Sequence, residues 1–391
     1  MAEAIATAMK LSHLSHRQPL DAYEQQAVDL LDAFRAGDDD AVRLVWHQHP
    51  RFLDAEYTWK PLDIAESEVR SADLNLADAQ LAIARAYDFL DWQRLAEFVG
   101  VASDPRSNVA RFESAVDAVV SGDLPTLTAL LRTSPDLVRA RSSRVTAHDP
   151  PEHRATLLHY ISANGVEGYR QRTPPNAADV ARLLLETGAA PNAPAGFYGS
   201  NDARTMYLLV SSTPPAEAGV QVALVDVLAD FGADVNADAD DPTRSPLITA
   251  IVFGFPAAAE ALIRRGARID RLAAAAGLGR VDDARRLLDV ADPAERHLAL
   301  ALAAQSGHAD VVRLLLDAGE DPNRFNPKGT HAHSMPIHQA ALGGHEAVVR
   351  LLVERGARTD VEDLIYHGTP LGWAEHGGQT KVVEYLSQRR R

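Results

Sequence analysis

Two stretches of the chain crowd together side chains able to recognise or transform a ligand. Glu167, Tyr169, Arg170, Gln171 and Arg172 fall within six residues, and Tyr198, Asn201, Asp202, Arg204 and Tyr207 share the segment FYGSNDARTMY (197–207). A guanidinium presents a planar fork to a carboxylate or phosphate, and a tyrosine presents contact area plus one hydroxyl. With Tyr160 just upstream, these residues are the candidate binding set for a peptide, with a small anionic ligand as a further candidate. The opposing reading is that Arg and Tyr lock their own loops by internal hydrogen bonds, because loop polar groups must find partners. Arg170→Ala separates the two: capture is lost with the fold intact, or the fold itself is lost. A chemical alternative gives His159, Glu167 and Tyr169 acid–base roles on a small-molecule or peptide substrate, with Arg170 holding a carboxylate.

Other reactive constellations are weaker. His331 and His333 form a His-x-His that, in an extended loop, places both rings on one face; His338 or His367 nearby could complete a zinc site. His148, His153 and His159 follow gaps that suit neither one helix face nor one strand face. No fixed ligand grouping is visible, so neither metal nor cofactor is expected. Nucleophile elbows, phosphate loops and zincin helices are absent from the sequence. The run Asp38-Asp39-Asp40 reads as a first helical turn, where the helix dipole favours negative charge. Asp238, Asp240 and Asp241 read as a solvated loop rather than a calcium site.

Composition narrows the function classes. The 391 residues carry a formal net charge of −15 and no cysteine. That charge opposes binding to phosphate backbones, which rests on clustered Lys and Arg. The compact basic run Arg389-Arg390-Arg391 reads as a frayed tail. Without cysteine there are no disulfides and no thiolate zinc sites. The N-terminal residues MAEAIATAMKLSHLSHRQPL lack the continuous apolar core of a secretory signal. No stretch is apolar for long enough to cross a bilayer. The expectation is a soluble cytoplasmic protein that binds neither nucleic acid nor membrane.

The candidate residues must be positioned by a recurring element. ALALAAQSGHADVVRLLLDAGEDPN (299–323) and PIHQAALGGHEAVVRLLVERGARTD (336–360) both read as a short apolar helix, a Gly-His turn, a second apolar helix and a Gly-containing stop. The inter-helix glycines Gly254, Gly279, Gly307, Gly344 and Gly378 are spaced 25, 28, 37 and 34 residues apart. Such spacing scatters around a ~33-residue repeat. Thr369-Pro370 and Ser245-Pro246 read as helix starts, while Met335 replaces the capping hydroxyl before Pro336. The unit at 272–290 is abbreviated. Upstream, AFRAGDDDAVRLVWHQHPRFL (33–53) aligns with AVVSGDLPTLTALLRTSPDLV (118–138) at a constant offset of 85 residues. Residues 76–99 read as helical with Asp91 as an N-cap, and 50–75 as a loop.

Two neighbouring units break the short-turn rule. After Gly165 comes VEGYRQRTPPNAADV, and after Ser212 comes TPPAEAGVQVALV. Insertions at the same place in consecutive units should lie side by side, and long loops in compact repeats are commonly functional. Pro174-Pro175 and Pro214-Pro215 stiffen them, and Asn176 could cap the helix that follows.

The phrase Thr-Pro-Leu-His, Ala-Ala, Gly-His, Val-Val-x-Leu-Leu-Leu and Gly-Ala, matched best at 336–357, 300–319 and 369–386, resembles the ankyrin repeat. The resemblance implies that His159 and His338, in the fourth place of the phrase, bond neighbouring turns, and that the Gly-His residues His308 and His345 are structural. LADAQLAIARAYDFLDWQRL and NGVEGYRQRTPPNAADVARLLLETGA are similar to a bacterial branch of ankyrin proteins with no assigned activity. Its first segment commonly reads Ala-Arg-Glu-Tyr-Gly-Phe-x-Ser-Trp; here Ala86, Asp88 and Asp91 replace the Glu, Gly and Ser.

The expected fold is therefore all-α: an ankyrin-repeat solenoid of about eight helical hairpins, some degenerate, with a helical N-terminal capping region. Residues 1–104 form the N-terminal region with a degenerate repeat. Residues 105–391 form the array, with inter-helix insertions at 166–175 and 212–220. The expected function is non-catalytic recognition of a protein or peptide through the concave face and the insertion loops. The alternative is an enzyme or accessory protein with a pocket roofed by those loops.

Overall fold

The computed structural model describes residues 11–55, 57–237 and 244–389. Asp238, Asp240 and Asp241 of the acidic loop, and Arg390 and Arg391 of the basic run, lie outside the described residues. The chain divides into two compact units, Met1–Ala233 and Asp234–Arg391.

The second unit shows the repeat most plainly. Its hairpins are Pro246–Val252 with Pro256–Arg264, Leu272–Gly277 with Val281–Leu288, Pro293–Gln305 with Ala309–Asp317, Pro336–Leu342 with Glu346–Glu354, and Pro370–His376 with Thr380–Ser387. First helices stack on first helices, and from Val281 onward second helices stack on second helices, giving two layers. The turn glycines Gly254, Gly279, Gly307, Gly344 and Gly378 all take φ between 67° and 80°, which only glycine adopts without strain. Val311, Val312, Leu315, Val348, Val349 and Leu352 are sealed between the layers. Thr369 caps its helix by accepting from the Gly372 amide, as its position predicts. Ser245 occupies the N-cap place but makes no side-chain cap.

Small residues let the first helices approach closely. Ala273, Ala275, Ala276, Ala299, Ala303 and Ala340 are fully buried. Gly277 is the tightest point: a Cβ there would meet Ile251 Cγ2 at 2.5 Å and Leu302 Cβ at 3.3 Å. Overpacking a close interior site costs about 1–3 kcal/mol. Gly277→Ala should therefore lower the unfolding free energy of this unit by that amount, read from denaturant unfolding followed by the fluorescence of Trp373 in a chain whose Trp46, Trp59 and Trp92 are replaced by Phe.

Two ladders of side-chain hydrogen bonds set the register between hairpins. At the inter-helix turns, His308 Nε2 reaches Gly277 O at 3.1 Å, His345 Nε2 reaches Gln305 O at 2.9 Å, and Gln379 Nε2 reaches Leu342 O at 3.1 Å. At the outer loops, Asn236 donates to Gly266 O at 3.0 Å and Asn323 to Gly356 O at 3.0 Å. These bonds use carbonyls that helix ends leave without internal partners.

The first unit begins with Leu20–Arg35, Asp39–Gln48, Leu76–Ala86 and Trp92–Ala102. Asp38 and Asp91 are N-caps, accepting from Ala41 and Arg94 amides. The first and second of these helices pack on Leu76–Ala86, and Trp92–Ala102 packs on Asn108–Ser121. The 50–75 segment, expected to be a loop, contains a 3-10 turn at Pro50–Phe52 and a short helix at Glu66–Arg70. Three hairpins follow: Asn108–Ser121 with Leu124–Thr133, Leu157–Ser162 with Ala177–Glu186, and Thr205–Leu209 with Gln221–Asp230. The all-helical expectation needs one amendment. Ala195–Phe197 and Ser200–Ala203 pair as a small antiparallel hairpin, because Tyr198 and Gly199 both take left-handed φ and turn the chain back.

Candidate functional site

The first insertion leaves the 3-10 helix Leu157–Ser162, passes through Gly165 at φ 74°, and makes a single 3-10 turn at Gly168–Arg170. The Asp88 carboxylate, itself at φ 59°, receives the Gly168 amide at 2.6 Å. The turn drives Glu167 and Arg170 inward. Glu167 is 2% exposed and Arg170 3% exposed.

Inside they meet a second pair. Arg170 donates to Glu113 Oε2 at 2.6 Å and to Asp117 Oδ1 at 2.8 Å, with Glu167 Oε2 at 3.8 Å. Arg144 reaches Glu113 Oε2 at 3.0 Å and Glu167 Oε1 at 3.1 Å. Tyr160 donates to Glu167 Oε1 at 3.1 Å, and Arg144 donates to the Tyr169 hydroxyl at 3.0 Å. The Arg144 guanidinium lies over Phe98 at 4.5 Å and Phe89 at 4.8 Å, two neighbouring rings 5.1 Å apart. Burial alone would raise the Glu113 carboxyl; Arg144 and Arg170 overcome it and hold it near about 2. Burial pushes the Tyr169 hydroxyl up to about 12. Two buried guanidiniums thus face two buried carboxylates, with Asp117 half-exposed at the edge.

The candidate residues separate into two groups. Tyr160, Glu167, Tyr169 and Arg170 belong to this ion cluster, in the geometry of the internal lock. Gln171 and Arg172 are exposed beside it, with Gln171 Nε2 on Val166 O at 2.8 Å. Tyr198, at the tip of the small hairpin, is 62% exposed. Its hydroxyl donates to Asn164 Oδ1, and Asn164 Nδ2 donates to Ser211 Oγ at 2.7 Å. Asn201 is exposed, Asp202 and Arg204 are half-exposed and 3.6 Å apart, and Tyr207 is half-buried. The two insertions start side by side, since Ser212 Oγ also donates to Ala163 O at 3.3 Å.

Of the acid–base trio, Glu167 and Tyr169 meet at Arg144, while His159 bonds elsewhere. His159 is fully buried and its Nδ1 accepts from the Thr156 amide at 3.1 Å, away from a solvent-facing pocket. Burial lowers its pKa to about 4, and Ala203 and Ala193 carbonyls face it. His338 repeats the arrangement, accepting from the Met335 amide at 3.2 Å and reaching Val361 O at 3.1 Å. The His-x-His pair also diverges: His331 binds Val252 O at 3.3 Å, and the two rings stand at 89°. Among the described residues, no group of three His, Cys, Asp or Glu is placed to hold a metal ion. Asn176 occupies the N-cap place but makes no cap; its amide reaches Gly122 O at 2.9 Å instead.

Glu113 and Asp117 were not singled out in the sequence. The signal was present: two acids at i and i+4, on one face of a helix rich in Ala and Val, NVARFESAVDAVVS. Arg144 sits in an irregular segment and carried no signal.

Stacked helical hairpins in two layers define the second unit as a helical repeat. Within it, residues 300–353 match the family described as ankyrin repeats (many copies). Ankyrin repeats are generally protein-interaction modules, which is consistent with a binding role. Comparison with curated proteins finds no match. No described helix is long and apolar enough to cross a membrane.

Proposed function

We propose that the chain is a non-catalytic binding module that recognises a protein or peptide in the cytoplasm. Recognition uses the concave face of the first unit's own first helices together with the accessible part of the insertion region. Tyr198, Asn201, Asp202, Arg204, Tyr207, Gln171 and Arg172 are the contacting set. Tyr160, Glu167, Tyr169 and Arg170 hold that set in place from beneath. The observation that carries this reading is Tyr198, a large aromatic held outward at φ 54° on a hairpin tip and fastened through Asn164 to the turn at Ser211. A rigid, exposed tyrosine on an ordered platform has the character of an interface hot spot. The formal charge of −15 favours a partner with basic character over nucleic acid.

Once a partner is isolated with the full chain, Tyr198→Ala should weaken its Kd by at least about tenfold with an unchanged melting profile. Equal affinity for the variant and the parent would remove the hairpin tip from the interface.

A further inference from the structure

Residues 11–18, LSHLSHRQ, run over the first unit before the Leu20–Arg35 helix begins. They are held the way a groove holds a foreign peptide. The body binds the main chain of this segment with side chains. Tyr87 Oη receives the Leu14 amide at 2.7 Å, Gln26 Nε2 donates to Ser12 O at 3.0 Å, and Tyr23 Oη lies 3.4 Å from Ser15 O. Tyr87 also donates to Gln26 Oε1 at 2.9 Å, which orients the amide for Ser12.

Two imidazoles three residues apart fill separate places. The His13 ring stacks on Tyr169 at 4.4 Å with planes 10° apart, and meets the edge of Tyr87 at 5.0 Å. His16 is buried, with Nδ1 3.1 Å from Asp117 Oδ2 and Nε2 3.3 Å from Ser114 Oγ. Leu14 packs between them on the helical core. Among the described residues, no backbone-to-backbone hydrogen bond ties 11–18 to another element; the one such bond is internal, Gln18 to Ser15. The segment is therefore attached by side-chain recognition alone, and what it covers is Tyr169 and the Asp117 edge of the ion cluster.

The geometry points to an exchangeable strap: residues 11–18 are the resident ligand of a peptide slot walled by Tyr23, Gln26, Tyr87, Tyr169, Ser114 and Asp117, and a partner segment with the pattern His-x-x-His, turning at its second histidine as the strap does, takes the same slot in trans. The partner chemistry is read from the strap itself. A first ring stacks on Tyr169, the next amide meets Tyr87, and a second imidazole reaches the Asp117 carboxylate.

A tethered strap competes at high effective concentration, so the slot is best read in a chain whose own strap is weakened. The probe is a fluorescently labelled peptide of residues 11–18, titrated into the full chain and into the His13→Ala, His16→Ala double variant. The double variant should bind at least about tenfold more tightly than the parent chain. Adding Gln26→Leu to that variant should abolish the gain, and a peptide with both histidines replaced by alanine should not bind. Equal, weak binding to both chains would overturn the proposal, as would loss of cooperative unfolding in the double variant. Dimers of the full chain that the peptide dissolves would reassign the slot to the strap of a second copy. Independently, the Leu14 amide of the unmodified chain should exchange with solvent at least about tenfold faster than the Leu30 amide, through an opening insensitive to denaturant. Exchange of both amides only by global unfolding would make the strap part of the core.

Discussion

Glu113→Ala will destabilise the first unit by about 3–5 kcal/mol, among the largest effects expected of any single substitution here. The carboxylate lies within 3.0 Å of both Arg144 and Arg170, each about as buried as itself. Removing it leaves two guanidiniums facing one remaining buried carboxylate, Glu167, with Asp117 half in water. An uncompensated buried charge is far costlier than the pair was worth. The double variant Glu113→Leu, Arg144→Met removes one charge of each sign and should recover most of the loss. Tryptophan fluorescence reports the transition in a chain whose Trp373 is replaced by Phe, because Trp46, Trp59 and Trp92 all lie in this unit. Recovery absent in the double variant would mean that Arg144 contributes mainly through its contacts with the Phe89 and Phe98 rings.

The same unit should lose about 4 kcal/mol between pH 7.5 and pH 5. Burial lowers both His153 and His159 to about 4 in the folded chain, against 6.5 when unfolded. Their contribution is fully present above pH 6.5. It is lost as pH falls toward 4, because the unfolded chain takes up protons that the folded chain refuses. Each histidine contributes about 2 kcal/mol of that loss by pH 5. Glu113, held at about 2, adds to the loss below pH 4.5, in the same direction. Urea midpoints at the two pH values measure the effect, and His153→Gln should remove about half of it. A flat profile from pH 7.5 to 5 would show that the folded chain accommodates both imidazoliums.

The repeat itself was legible because each hairpin carries local marks. A glycine that must take positive φ, a Gly-His turn, and Val-Leu spacing of a helical face all act within about one repeat length. Thus Gly254, Gly307 and Gly344 mark turns, and His308 and His345 make the structural bonds that the ankyrin resemblance implied. The crowding of Glu167, Tyr169, Arg170, Gln171 and Arg172 was equally visible. Its meaning was not, because side chains two residues apart can face water or the interior.

The amino-acid sequence alone determined the hairpin periodicity, the places of the two insertions and the net negative charge. Only the tertiary structure decided that Arg170 turns inward to Glu113 and Arg144 and Tyr198 outward, and that residues from 11 onward lie over Tyr169. The physical reason is the range of the forces involved. Helix and turn preferences are settled by neighbours a few residues away. The cost of an unpaired buried charge is settled by whichever partner the fold brings near, here 57 residues off in sequence for Arg170 and Glu113.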